Sequence, residues 1–330
     1  MNKEQSLQLK GVAILMMLFL HLFNTAERVA ECTTYINFLN GKPLVYALAR
    51  VAGMCVPIYL FISGYGLAKS TDLDTSALFR RLRRVYTHYW LVFVLFIPLG
   101  CIIAPALYPD SWGAAILNFL SLSESYNHEW WFLLPYAVLL LLAGWIIPFV
   151  RKCKPWQNLV AFLLLFLLSV LNFRVKSQFA DNLPVLRFIH FILLLPAFYA
   201  GACCGNHLSG AWYGRSLRGA LWWLLILLFV RCFIGASIVN VLFCVPFILL
   251  FIQLDIPIPL QSVFRFFGRY STFMWLTHTF YAYYFFHDEL YSLHYPLVMY
   301  VVLLVASLLT AMVLNWILRV LNSFFCRPSN

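Results

Sequence analysis

The chain has 330 residues, of which 63% are hydrophobic, 18% aromatic and only 11% charged. Ordinary globular domains carry about 25% charged residues, so this composition excludes a water-soluble protein and predicts a polytopic membrane protein. A membrane-spanning helix needs about 20 apolar residues, so a chain of this length with about ten spans has no room for a large soluble domain. Any chemistry must take place among the helices or at their ends.

Ten apolar runs predict an all-α membrane protein with about ten transmembrane helices in a single domain, residues 1–330. The predicted spans are residues 6–25, 44–68, 86–107, 130–149, 157–173, 185–205, 217–234, 236–254, 271–287 and 296–318. The net charge of +11 is unevenly distributed, because most basic residues fall on one side of these spans. These include Arg80, Arg81, Arg83, Arg84, Arg151, Lys152, Lys154, Arg215, Arg218 and Arg327. The positive-inside rule makes that side cytoplasmic, with both termini cytoplasmic, so the charge does not indicate a nucleic-acid partner.

The first span carries two ionisable residues, Lys10 and His21. Eleven residues separate them, which brings them to within about 20° of one helix face and about 16 Å apart along the axis. A titratable group inside a membrane span is expensive and therefore indicates function. An interhelical hydrogen bond would also account for His21, and snorkelling to the interface would account for Lys10. A cleavable signal peptide would begin similarly, but it has no reason to contain His21.

The second and third spans contain two further patterns. Small residues at Ser63, Gly64 and Gly66 indicate close helix packing. Next, a cluster of four arginines enters the third span, and Arg81 and Arg84 share one face. Guanidinium groups beside a helix N-terminus favour phosphate, whereas anchoring on acidic lipids is the simpler alternative.

Taken together, these segments resemble the integral membrane acyltransferase-3 family, whose members O-acylate carbohydrates. The resemblance is carried by Lys10 with His21, Phe61-Ile62-Ser63-Gly64-Tyr65 and Arg81-x-x-Arg84, and more weakly by Asn127–Leu133 and residues 267–278. The proline that commonly follows the paired arginines is replaced by Thr87 and His88. No SGNH-type hydrolase domain is appended, so the chain is similar to the stand-alone form.

The resemblance implies an enzyme of the bacterial inner membrane, surrounded by lipid, most simply an O-acetyltransferase. Its donor would be acyl-CoA, acetyl-CoA by default, and its acceptor a cell-surface or lipid-linked carbohydrate, with no bound cofactor or metal. The donor's phosphates would bind Lys10, Arg81 and Arg84. His21 is implied as a general base or as a covalent acyl carrier, and Glu129 would orient its ring.

Acceptor binding is the expected role of Trp130, Trp131 and His278. An interfacial aromatic belt would explain the tryptophans as well, and a packed interhelical histidine would explain His278.

Two other functional classes compete with an acyltransferase. A secondary transporter or lipid-linked glycan flippase would use the intramembrane histidines as proton relays, and a b-type cytochrome would use them as haem ligands. The sequence shows neither the internal repeats typical of many transporters nor matched histidine pairs. The acceptor, the acyl group, the choice between direct transfer and an acyl-histidine, and the oligomeric state stay open.

Overall fold

A computed structural model describes residues 1–38, 41–179, 181–208 and 219–325, and within these ranges the chain folds as helices joined by short loops, as the sequence predicts. The helices are α1 (Lys3–Phe23), α2 (Ala26–Ala30), α3 (Leu44–Ala52), α4 (Cys55–Ala68), α5 (Thr75–Ile103), α6 (Trp112–Phe119), α7 (Leu133–Lys152), α8 (Pro155–Val175), α9 (Leu183–His207), α10 (Ala220–Phe233), α11 (Asn240–Phe251), α12 (Ile258–Thr279), α13 (His287–Tyr291) and α14 (Pro296–Phe325). A 3-10 turn at His128–Phe132 leads into α7, and a π-helical turn at Phe280–Phe285 continues α12.

Seven of the described helical segments are long and apolar enough to cross a membrane. They coincide with the first six predicted spans and with the tenth. The other three predicted spans overlap α10, α11 and α12, which are shorter or more polar. The count of ten and the cytoplasmic termini therefore stay predictions. Parts of that prediction lie outside the described residues, namely residues 217–218, Arg215, Arg218 and Arg327.

The predicted bounds of the second span are confirmed, although a turn at Gly53 and Met54 interrupts the α-helical hydrogen bonding and divides the span into α3 and α4. The predicted start of the third span is wrong. Helix α5 begins at Thr75, well before the predicted start at residue 86, because Asp74 caps it by accepting a 2.8 Å hydrogen bond from the Ala77 amide. Arginine is a good helix former, so the helix continues through the basic cluster into the apolar segment.

Helices α1 and α12 cross at a pair of glycines. A Cβ atom on Gly11 would collide with the carbonyl oxygen of Phe264, and one on Gly268 would collide with the carbonyl oxygen of Leu7. Each helix thus offers a glycine to the backbone of the other, an arrangement that brings membrane helices into close contact. This crossing fixes how α1 and α12 present their histidines to each other.

Helices α4 and α9 also cross at a pair of glycines. A Cβ on Gly64 would collide with the carbonyl oxygen of Phe198, and one on Gly201 with that of Phe61. The predicted packing role of Gly64 is confirmed. Gly66 instead has open space around it and lies on a cavity wall, so its lack of a side chain leaves room there.

Candidate active site

A cavity of about 1380 Å³ lies between the helices. Its wall includes six of the eight side chains that the sequence predicts as site residues: Lys10, His21, Arg81, Arg84, Glu129 and Trp131. These residues come from α1, α5 and the turn before α7, so they share a wall only because the helices pack as they do. The cavity is the candidate active site.

One end of the cavity holds a basic cluster of Lys10, Arg81 and Arg84, here called the basic mouth. Arg81 is half-buried and donates to the Ser70 hydroxyl at 3.0 Å, whereas Arg84 is exposed. Lys10 and Arg84 lie close enough to interact electrostatically. Among the described residues, none of the three forms a salt bridge with a carboxylate. Their charges are therefore available to an anionic ligand.

The helix-terminus part of the phosphate prediction is wrong. Because α5 begins at Thr75, Arg81 and Arg84 lie in its second and third turns rather than beside its N-terminus. The effect of the helix dipole fades within the first turn, and the side chain of Asp74 already occupies the Ala77 amide. An anion at the basic mouth would be held by side-chain charge alone.

Toward its other end, the cavity reaches His21, which is 8% exposed. Its Nδ1 lies 3.1 Å from the Tyr283 hydroxyl and 3.5 Å from Glu129 Oε1. The ring of His278 packs against it with 5.0 Å between ring centroids. We call His21, Glu129, His278 and Tyr283 the histidine cluster.

The hydrogen bonds around Tyr283 indicate which nitrogen of His21 carries the proton. The Tyr283 hydroxyl donates to the His21 carbonyl at 2.5 Å, so its oxygen is an acceptor towards the His21 ring. Glu129, when ionised, also only accepts. Nδ1 is therefore the protonated nitrogen, and Nε2 keeps the lone pair that a base needs.

Arg28 braces the same network. Its Nη1 donates to Tyr283 Oη at 2.7 Å, to Asn24 Oδ1 at 2.7 Å and to the His21 carbonyl at 3.2 Å. Its guanidinium also lies 4.0 Å from the centre of the Tyr283 ring. The sequence singles out neither Arg28 nor Tyr283, because neither belongs to a recognisable local pattern.

Glu129 owes its position to the residues around it. The Asn127 side chain accepts from the Glu129 amide at 3.1 Å and exchanges hydrogen bonds with Thr279 of α12, with its own Nδ2 donating at 2.8 Å. Next in the chain, Trp130 Nε1 donates to the Leu276 carbonyl at 3.1 Å. These contacts attach the turn before α7 to α12 and thereby bring Glu129 to His21.

Two predicted acceptor-binding residues do not line the cavity. Trp130 is 3% exposed and packs among aromatic rings, with Tyr89 at 4.9 Å and Phe280 at 5.6 Å between centroids. His278 is fully buried, and its Nδ1 bonds the carbonyls of Met274 and Trp275. Both are therefore placed to support the cluster rather than to touch a ligand in the cavity.

Trp131 does line the cavity and stands beside a residue that sequence reasoning missed. Its ring lies 4.7 Å from that of His190 on α9, which also faces the cavity. His190 is 5% exposed, and neither ring nitrogen has a hydrogen-bond partner among the described residues. Its position was not predictable, since a single histidine in a long apolar helix carries no spacing signal.

Comparison with known proteins identifies the class of this chain. A family model described as an acyltransferase domain matches residues 7–318. The chain belongs to the acyltransferase-3 family. This membrane acyltransferase thus carries the basic mouth and the histidine cluster within the matched region, and family membership favours acyl transfer over the transporter, flippase and cytochrome interpretations. No curated protein and no solved structure matches the chain.

Proposed function

We propose that this acyltransferase moves an acyl group, most simply acetyl, from acyl-CoA to a hydroxyl of a carbohydrate. The observation that carries the proposal is one continuous cavity. At one end it has cations that form no salt bridge with a carboxylate of the described residues, and the His21–Glu129 pair lies further along it. An acyl-CoA carries several phosphate charges, and guanidinium forks bind phosphate oxygens well. The basic mouth would hold these phosphates while the thioester extends along the cavity.

In the proposed reaction His21 Nε2 is the general base. It takes the proton from the acceptor hydroxyl as that oxygen attacks the thioester carbonyl. The tetrahedral intermediate then collapses, the carbon–sulfur bond breaks, and the proton on His21 passes to the departing CoA thiolate. Glu129 and Tyr283 hold the Nδ1 proton and so stabilise the imidazolium that forms between the two steps, as a triad carboxylate does.

A covalent route uses the same atoms differently. His21 Nε2 would attack the thioester itself, CoA would leave, and the acceptor hydroxyl would then take the acyl group from the imidazole. Intact-protein mass spectrometry after rapid mixing with acetyl-CoA alone separates the routes. An acetyl-sized increase that His21→Gln removes indicates the covalent route, and no increase indicates direct transfer.

The decisive experiment is mass spectrometry of cell-surface glycans with and without the chain, together with His21→Gln. We expect an acetyl-sized mass on a sugar that depends on the wild-type chain. General base catalysis contributes roughly 10²- to 10⁴-fold, so His21→Gln should lower the transfer rate about a thousandfold while the protein still inserts and folds. Wild-type transfer by a correctly folded His21→Gln protein would contradict the role of His21.

The cytoplasmic orientation of the basic mouth belongs to this proposal. Acyl-CoA is supplied from the cytoplasm, which agrees with the predicted charge distribution. The carbohydrate would then enter from the opposite side and meet Trp131 and His190, which line the wall. An aromatic face and an unpartnered imidazole suit a sugar ring and its hydroxyls.

A further inference from the structure

A second pair of basic residues, Arg50 and Arg231, lines the same cavity far from the basic mouth. Arg50 in α3 and Ala68 at the end of α4 are 18 residues apart, which corresponds to a rise of about 27 Å at 1.5 Å per residue. Just beyond Ala68, Ser70 contacts Arg81 of the basic mouth. Arg50 therefore lies at the opposite end of the cavity.

Arg231 is buried and rigidly held. It is 1% exposed, its Nε donates to Asn240 Oδ1 at 2.7 Å, and its Nη1 donates to the Ile234 carbonyl at 2.5 Å. The Asn240 side chain in turn lies directly against Gly53, where a Cβ atom would come within 2.6 Å of its Nδ2. The missing side chain of Gly53 thus leaves room for the group that fixes Arg231.

Arg50 stands next to Arg231 with free donors. Its Nε and Nη2 are shielded from solvent and have no hydrogen-bond partner among the described residues. Nη2 lies beside Gly235, 3.3 Å from where a Cβ would stand, and the two arginines lie close enough to interact electrostatically. Within the described ranges neither forms a salt bridge with a carboxylate.

Two adjacent, largely desolvated guanidinium groups repel each other unless an anion lies between them. A buried charge without a partner is costly, and paired guanidinium forks match the oxygens of a carboxylate or phosphate group. The fixed geometry of Arg231 and the unpaired donors of Arg50 are what such a group requires.

We propose that Arg50 and Arg231 form an anion subsite that recognises a negatively charged group on the acceptor carbohydrate. This proposal rests on the proposed function and adds that the acceptor is acidic, through either a carboxylate or a phosphate. Acyl-CoA would occupy the basic mouth at the other end, so the subsite is left to the second substrate.

The test measures binding rather than turnover, so its failure is distinct from failure of the acyltransferase proposal. The full chain is reconstituted in neutral phosphatidylcholine vesicles and saturated with CoA to fill the donor end. Glucuronate, glucose 1-phosphate and glucose are then titrated, and binding is read as the shift in melting temperature. We expect at least one acidic sugar to bind at a concentration at least tenfold lower than glucose does, and the preferred acid identifies carboxylate or phosphate.

Substitutions at Arg50 test whether this side chain causes the preference for acidic sugars. Arg50→Gln should remove the tenfold preference, and Arg50→Lys should retain part of it, because the charge stays while the fork is lost. Arg174→Gln is the matched control, since Arg174 is exposed and does not line the cavity. Because Arg231→Gln removes a buried, bonded side chain and is the variant at risk of not folding, Arg50→Gln carries the test.

Three results would overturn the proposal. One is equal binding of acidic and neutral sugars by the wild-type chain, and another is an unchanged preference in folded Arg50→Gln. The third is loss of the preference in vesicles containing anionic phosphatidylglycerol, which would assign the pair to a lipid headgroup. Each of these results would leave the proposed acyl transfer intact, because none of them measures turnover.

Discussion

The cavity is positively charged at both ends, but the two ends differ in burial and in how their arginines are held. At the basic mouth Arg84 is exposed and Arg81 is half-buried with a single bond to Ser70. At the far end Arg231 is 1% exposed and locked by two hydrogen bonds. An open, adaptable cluster suits a long multiply charged donor, whereas a rigid, desolvated pair suits one small anionic group in a fixed position.

Two members of the histidine cluster, His21 and Glu129, line the same cavity and are its proposed acid–base groups. His21 and Glu129 contact each other, yet no basic-mouth residue bonds either of them. Changes at either end should therefore alter binding, and changes in the cluster should alter the rate of the chemical step. Three predictions test this separation of binding from the chemical step.

Among changes that alter binding, the largest effect is expected from removing both charges of the basic mouth. Hydrogen bonds to charged groups contribute about 1.5–3 kcal/mol each, and the lower value applies to these partly exposed side chains. Arg81→Gln with Arg84→Gln should therefore raise the KM for acyl-CoA about a hundredfold. Steady-state kinetics at saturating acceptor measures this. Arg83→Gln is the control, because Arg83 lies on the same helix, is exposed and does not line the cavity. An equal response to both changes would favour lipid anchoring.

A smaller effect is expected from changing Glu129 in the histidine cluster. Glu129→Gln keeps the size of the side chain but removes the charge that faces His21 Nδ1 at 3.5 Å. We expect kcat to fall about tenfold with little change in either KM, because orientation and imidazolium stabilisation are lost while the base remains. His128→Gln, at an exposed neighbour, should leave kcat unchanged. A kcat for Glu129→Gln equal to that of the wild type would remove Glu129 from the mechanism.

The smallest effect contrasts the two ends through salt. The Debye length falls from about 8 Å at 0.15 M to about 3 Å at 1 M ionic strength, and exposed charges are screened much more than buried ones. Raising the salt concentration should therefore raise the KM for acyl-CoA several-fold and change the affinity for an acidic sugar less. Both are measured in one salt titration with a non-binding electrolyte. Equal sensitivity at the two ends would show that burial of Arg231 does not protect the far site.

Two local patterns were enough to predict much of the candidate site. Lys10 and His21 are eleven residues apart, so helix geometry places them on one face of α1. Both side chains do line one cavity. Arg81 and Arg84 likewise share one face of α5, although this helix begins earlier than predicted. Periodicity within one helix is a property of the sequence, so these side chains were predictable although their catalytic and binding roles stay predictions.

Residues that act across helices were harder to predict. Trp130 was predicted to bind a sugar, but tryptophan is common both in binding sites and in packed interiors. Only its hydrogen bond to the Leu276 carbonyl shows that it anchors the turn bearing Glu129. Tyr283 lies in an aromatic run without a distinguishing pattern, and its contact with His21 joins segments far apart in sequence. Such contacts depend on crossing geometry, which local patterns do not contain.

The sequence alone determined that this is an all-α membrane protein whose reactive groups must lie among helices, because composition and helical periodicity are local properties, and the resemblance of its motifs pointed to the acyltransferase class. Tertiary structure decided which of those groups meet. The glycine crossings at Gly11 and Gly268 set the approach of α1 to α12, the Asn127–Thr279 bonds brought Glu129 to His21, and the missing side chain of Gly53 left room for Asn240, which fixes Arg231. Each depends on two segments packing against each other, and neither segment specifies that contact by itself.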